Sequence, residues 1–220
     1  MARKVFVAAT GQNSGKTPTS LAPMYMARKN SKRGGFIKPF GPKPSIARNG
    51  MVADKDAVLM AEVFDLEEDL PLMSPLVLHP GDTQKLLEGE LSGAEMERKM
   101  FDAIDKLDSK NDFLIIEGAG HTGVGSVLGF SNARVAKIAN APVVMVTGGG
   151  VGNVVDSAYM NLALFEKEQA QVRAVLVNKI IPEKREKTLR YLELAFAKEA
   201  FKVVGGCNYQ PILANPTLRR

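Results

Sequence analysis

Cysteine is all but missing from this chain: Cys207 is the only one in 220 residues. A single thiol excludes an internal disulfide framework and any metal site built from several cysteines, and it suits a reducing compartment. Histidine is nearly as scarce, with His79 and His121 alone and no clustered partners in the sequence. No apolar run approaches the roughly 18 residues of a membrane span. The first apolar run is cut off after Ala9 by Gly11, Gln12 and Asn13, which is too short for the apolar stretch of a secretory signal. Nor is there an excess of Pro, Ser or Gln of the kind that keeps chains disordered. With 45% apolar and 24% charged residues, the expectation is a globular, cytoplasmic protein with no membrane partner.

Charge of neither sign dominates. Lys and Arg number 29 against 24 Asp and Glu, a formal +5. That balance suits small anions and is modest for a dedicated nucleic-acid binder. The basic clusters at Arg28 to Arg33, Lys184 to Arg190 and Arg219-Arg220 read as solvated charge, so no nucleic-acid partner is expected.

What is present is an alternation of short apolar runs with helical patterns. Lys4 to Ala9 is a β-branched run that ends at a glycine-bearing loop, and a helix is expected from Thr17 to about Ala27. Gly35 to Pro39 reads as a second strand, ended by Pro39, which has no N–H to give a central ladder. Asp56 to Phe64, Asp82 to Leu87 and Ala94 to Leu107 read as helices, and Leu66 to Pro80 as an irregular excursion without chemistry of its own. Phe113 to Ile116, Ala141 to Val146, Val172 to Val177 and Phe201 to Val204 complete the strands, with helices over 153–168 and 183–199. This order implies a three-layer α/β fold, a mostly parallel sheet with helices on both faces. Ligands of such sheets gather beyond the strand ends. With no internal repeat and no low-complexity linker, one domain over residues 1–220 is expected.

The chemistry-bearing residues sit at those strand ends. In Gly11-Gln12-Asn13-Ser14-Gly15-Lys16-Thr17, between a strand and a helix, glycine allows close backbone approach, Lys16 supplies a point charge for β/γ-phosphates, and the Thr17 hydroxyl can ligate Mg²⁺. The helix N-terminus adds partial positive charge. The spacing departs from the full phosphate-loop pattern, because Thr10 stands where the first glycine is required and the glycine is displaced to Gly11. A glycine turn capping a helix, with Lys16 merely solvated, is the plain alternative.

Glu117 directly follows a buried run, so its carboxylate emerges at the same edge, fit to hold Mg²⁺ or orient a substrate. Asp56, or its neighbour Asp54, is a second candidate metal contact. Lys38 ends the second strand there and can bind a substrate carboxylate or steady a transferring phosphoryl group. Asn178, past another strand, can hydrogen-bond an adenine edge. Gly118, Gly120, Gly123 and Gly125 expose backbone without the spacing of a dinucleotide fingerprint, and His121 among them reads as a hydrogen-bonder within the loop.

Taken in order, Thr10 to Thr17, Gly35-Phe-Ile-Lys-Pro39, Asp56-Ala57, Glu117-Gly-Ala-Gly120 and Asn178 resemble the dethiobiotin synthetase family of P-loop proteins over nearly the whole chain. The likeness extends to the similar domain at the N-terminus of some phosphotransacetylases, whose closing Leu-Ala-x-Pro-Thr motif is matched by Leu213-Ala-Asn-Pro-Thr217, and to cobyrinic acid diamide synthases. The resemblance implies a P-loop fold, ATP with Mg²⁺, a homodimer, and phosphorylation of a small carboxylate or carbamate. It places phosphates and Mg²⁺ on Lys16 and Thr17, the metal on Asp56 and Glu117, substrate or phosphates on Lys38, and adenine on Asn178. Two departures bear on the substrate: Gln12, Asn13 and Ser14 replace the Thr and Glu expected before Gly-Lys-Thr, and Gly41-Pro42 replaces a hydroxyl residue after Lys38. A natural short form and a fragment of a longer protein are both compatible with the resemblance, as are a catalyst and a nucleotide-sensing regulatory module.

Overall fold

The computed structural model describes residues 1–30 and 32–214. Ser31, Arg219-Arg220 and the last three positions of the closing motif, Asn215 to Thr217, therefore lie outside the described residues. In chain order the elements are β1 (Arg3–Ala9), α1 (Lys16–Lys29), β2 (Gly34–Ile37), β3 (Phe40–Gly41), β4 (Pro44–Ile46), β5 (Val52–Asp54), α2 (Lys55–Phe64), α3 (Leu70–Met73) and β6 (Leu76–Val77). There follow α4 (Asp82–Leu87), α5 (Gly93–Lys110), β7 (Phe113–Glu117), α6 (Asn132–Ile138), β8 (Val143–Gly148), α7 (Val151–Lys167), β9 (Val172–Ile180), α8 (Arg185–Ala195) and β10 (Lys202–Asn208).

Six strands form the main sheet in the order β10-β9-β8-β1-β7-β2, and every neighbouring pair is parallel. Successive side chains of a strand point to opposite faces, yet Phe6, Val7, Ala8 and Ala9 are all buried, as are Leu114, Ile115 and Ile116. Both faces of the sheet centre are therefore covered by helices, which is why these runs show no polar alternation. The expected α/β architecture with a parallel sheet stands.

The largest difference from the sequence expectation follows β2. Lys38 lies one residue beyond Ile37, and its N–H donates to Met73 O at 2.8 Å rather than to the main ladder. Pro39 then turns the chain into two small sheets, β3 with β6 in parallel and β4 with β5 antiparallel. The Leu66 to Pro80 stretch, expected to be irregular, holds a 3-10 turn over Glu67–Asp69, then α3 and β6. Such short elements carry too few periodic positions to be read from sequence. Helix α6, N-capped by the Ser131 hydroxyl accepting from Arg134 N, also escaped the sequence reading. The region expected as one helix over 183–199 is a 3-10 turn at 182–184 followed by the shorter α8.

Candidate functional site

The parallel register dictates which side chains meet at the C-terminal rim. Because Ile37 is level with Ile116 in the β2–β7 pair, Lys38 and Glu117 are brought side by side. Glu117 is in turn level with Val7 of β1, the strand that feeds the glycine loop. The rim thus draws residues distant in sequence into one cleft of about 860 Å³, lined by the loop from Gln12 to Thr17 and by Lys38, Asp56, Glu117 and Asn178.

Gly15 sets the loop's turn into α1. Its φ of 96° is a left-handed conformation that favours glycine, and a Cβ there would lie 2.0 Å from Asn178 Nδ2. Ser14 Oγ donates back to Gly11 O at 2.9 Å, and Asn178 Nδ2 donates to Ser14 O at 2.9 Å. Lys179 Nζ donates to Asn13 O at 2.6 Å. Lys179 and Asn13 themselves have positive φ, 58° and 56°. Asn178 Oδ1 also accepts from Lys179 N, so the carboxamide expected to meet a base here props the loop. Thr10, where the usual pattern has glycine, donates its hydroxyl to Thr147 Oγ1 at 3.1 Å and anchors the loop's first residue to β8.

Glu117 is fully buried and is the hub of a charged cluster. Its Oε1 accepts from Thr17 Oγ1 at 3.1 Å and from Lys38 Nζ at 2.9 Å, while Oε2 accepts from Ser20 Oγ at 2.7 Å. Thr17 and Ser20 are three positions apart on α1 and so share one face. Lys38 Nζ also donates to Asp56 Oδ2 at 2.7 Å and to Gly118 O at 3.3 Å. Of the two aspartates weighed from sequence, Asp56 faces this cluster. Asp54 caps α2 by accepting from Asp56 N at 2.9 Å, and its other oxygen accepts from Lys43 N at 3.3 Å.

The electrostatics follow from burial and neighbours. Lys16 donates to Gly120 O at 2.8 Å. Burial, with the Lys38 charge assisting, lowers its pKa from the ordinary lysine value to about 8. Burial works against the Lys38 charge as well, but the carboxylates of Glu117 and Asp56 outweigh it and hold its pKa above the ordinary value. For Asp56 the desolvation is likewise overcome, by the charge and hydrogen bond of Lys38, and its pKa is lowered. Burial raises that of Asp54.

A family model described as an AAA domain matches residues 3–217. The chain belongs to that family. Among named relatives of this AAA domain chain, the cobyric acid synthase of Lachnoclostridium phytofermentans is 26% identical over 81% of the chain and 38% of its own length. The ATP-dependent dethiobiotin synthetase BioD of Methanocaldococcus jannaschii is 25% identical, over 79% of the chain and 78% of its own. The phosphate acetyltransferase of Synechocystis is 23% identical over 83% of the chain and 26% of its own length. The chain thus spans well under half of the cobyric acid synthase and phosphate acetyltransferase relatives. The septum site-determining protein MinD of Pyrococcus horikoshii, solved with Mg-ADP, superposes with a TM-score of 0.55 at 14% identity, covering 100% of the chain and 86% of that structure. The dethiobiotin-synthetase-like P-loop family read from the motifs is the one these matches support.

The AAA domain's donor set fits a hard cation. Among the described residues no three or more of His, Cys, Asp and Glu gather into a metal site. A metal would rest on Asp56, Glu117 and the Thr17 hydroxyl, completed by phosphate oxygens, which is the oxygen-rich, carboxylate-poor set that Mg²⁺ takes.

Several supports escaped the sequence reading. Ser20 is fully buried on Glu117, Ser74 Oγ accepts from Asp54 N at 2.8 Å, and Lys43 lines the cleft. Asn132 and Asn161 fasten the glycine stretch after Glu117: Asn132 bonds Ala119 N, Ala119 O and His121 O. Asn161 accepts from Thr122 N and donates to Thr10 O. Ser20 alone had a sequence signal, a hydroxyl one helical turn after Thr17. His121 Nδ1 accepts from Gly123 N at 3.2 Å within the same stretch.

Proposed function

We propose that the chain binds ATP with Mg²⁺ in the cleft at the sheet rim and phosphorylates the carboxylate or carbamate of a small acid. The observation that carries this reading is the convergence of Lys16, Thr17, Lys38, Asp56 and Glu117 on one cleft beside the glycine loop. Backbone N–H groups from Gly11 to Gly15 and the Lys16 ammonium hold the phosphates, and the N-terminus of α1 adds its partial charge. Thr17, Asp56 and Glu117 hold Mg²⁺, which supplies charge neutralisation at the phosphates when bound. Lys38 meets the substrate acid or the transferring phosphoryl oxygens. Asn178 keeps one acceptor lone pair for an adenine edge while it props the loop.

The reading extends to a single P-loop domain over 1–220, working as a homodimer in the cytoplasm without nucleic-acid or membrane partners. No helix among the described residues is long and apolar enough to cross a membrane. Calorimetric titration of MgATP into the wild type and Lys16→Ala, followed by ADP release with a panel of small acids, tests it. Binding weakened at least about tenfold in the variant, with ADP release accelerated by an acid, is the expected result. No binding to the wild type would sink the proposal.

One observation favours a second reading, a nucleotide-sensing regulatory module. Gly41-Pro42 stands where the resemblance implies a hydroxyl-bearing residue after Lys38, and a Cβ at Gly41 would lie 2.2 Å from Asp54 Oδ2, so that corner is filled. That version predicts MgATP affinity with negligible turnover under every acid, and an oligomeric state that changes with nucleotide on size exclusion.

A further inference from the structure

The two carboxylates proposed for the metal already hold a cation, the protein's own. Lys38 Nζ lies 2.7 Å from Asp56 Oδ2 and 2.9 Å from Glu117 Oε1, and its side chain is 4% exposed. It joins the two carboxylates, its third acceptor is Gly118 O at 3.3 Å, and the Thr17 hydroxyl bonds the same Glu117 Oε1. Ser20 occupies the other oxygen of Glu117, which leaves Oε1 as the oxygen facing the cluster.

We infer that Lys38 is the resting counter-cation of the Asp56–Glu117 pair and bars a free divalent ion from it, so that metal enters only together with the phosphates of a nucleotide. The inference rests on the metal position in the reading above. Mg²⁺ binds oxygen at about 2.0–2.1 Å, so an ion on Asp56 Oδ2 and Glu117 Oε1 would stand against the Lys38 ammonium in a poorly solvated site, where like charges repel strongly. A free ion would also have to shed water, a step Mg²⁺ takes reluctantly. Nucleotide phosphates change both terms. They bring negative charge that the displaced ammonium can follow, and they arrive with the ion partly dehydrated. Lys38 is therefore freed towards the phosphoryl oxygens by the same event that fills the metal position.

The test is Mn²⁺ titration followed by electron paramagnetic resonance of the unbound ion, on wild type, Lys38→Met and Lys38→Gln, first without nucleotide and then with ADP. Without nucleotide the wild type is expected to bind Mn²⁺ at least about tenfold more weakly than either variant. ADP is expected to shrink that gap. A tight nucleotide-free Mn²⁺ site in the wild type would overturn the inference, and this arm needs no variant to fold. Folded variants that bind free Mn²⁺ no better than the wild type would overturn it too, because the barrier would then lie elsewhere. Failure of the wild type to bind Mn²⁺ with ADP would instead count against the nucleotide proposal. The nucleotide-free comparison stays readable in that case.

Discussion

The sheet rim is built in two ways. On the side of β2, β7 and β1 it is made of charge: Lys38 bonds Asp56, Glu117 and the Gly118 carbonyl, Thr17 bonds the same Glu117, and Lys16 bonds the Gly120 carbonyl, and three of the four charged groups are buried. On the side of β8 and β9 it is made of neutral props, Thr147 and Asn178, with the exposed Lys179, all three bonded to the loop. Charges out of water are costly unless they are paired, so the first half tolerates little change. Hydrogen bonds at a partly wet edge are each worth little, so the second half tolerates more.

The sharpest way to break this contrast is Glu117→Ala. It strips a buried Lys38 of one of its two carboxylates, and unpairing a buried ion pair costs about 3–5 kcal/mol. Urea unfolding is expected to show that loss, and a change below about 1 kcal/mol would mean the cluster is not electrostatically coupled. Next is Lys16→Ala, which removes a charged donor worth about 1.5–3 kcal/mol. MgATP affinity measured by calorimetry is expected to fall roughly tenfold to a hundredfold.

Proton linkage sharpens the same half. Lys16 has a pKa lowered to about 8 by burial, so its ammonium is present below that pH and is lost as pH rises through it. Nucleotide affinity should therefore be highest below pH 8 and fall about tenfold between pH 7 and pH 9, since each pH unit beyond the pKa removes most of the charged form. A flat profile would show that Lys16 keeps its proton throughout. The smallest effect is expected on the neutral side: Asn178→Ala loses a bond to Ser14 O and should cost roughly 0.5–1.5 kcal/mol of stability. If it matched Glu117→Ala, the two halves would not differ as described.

The six main strands were legible because runs such as Phe113 to Ile116 are apolar without alternation and end at glycine or polar residues. That the candidate side chains gather at one rim was legible for the same reason, since strand ends announce a rim. What the sequence concealed was pairing across distance. Asp54 and Asp56 looked equivalent as isolated carboxylates, and only the cap on α2 separates them, turning one toward backbone N–H groups and the other toward Lys38. Lys38 looked like a free cation for a ligand, and nothing local predicts that register with β7 places it on Glu117. The Leu66 to Pro80 segment seemed idle, yet Met73 O takes the Lys38 N–H and Ser74 takes that of Asp54. Its elements are too short for periodicity to betray them.

The level pairing of Ile37 with Ile116 also bears on how such chains diverge. Losing or gaining one residue between Gly34 and Ile37 would leave a strand of similar composition in the sheet while turning each side chain after the change to the opposite face. Lys38 would no longer meet Glu117, although the fold would persist. A descendant carrying that single gap would look like a relative in every apolar run and have lost the Lys38–Glu117 pairing, so gap placement in this one short segment separates chains that keep the charged cluster from chains that do not.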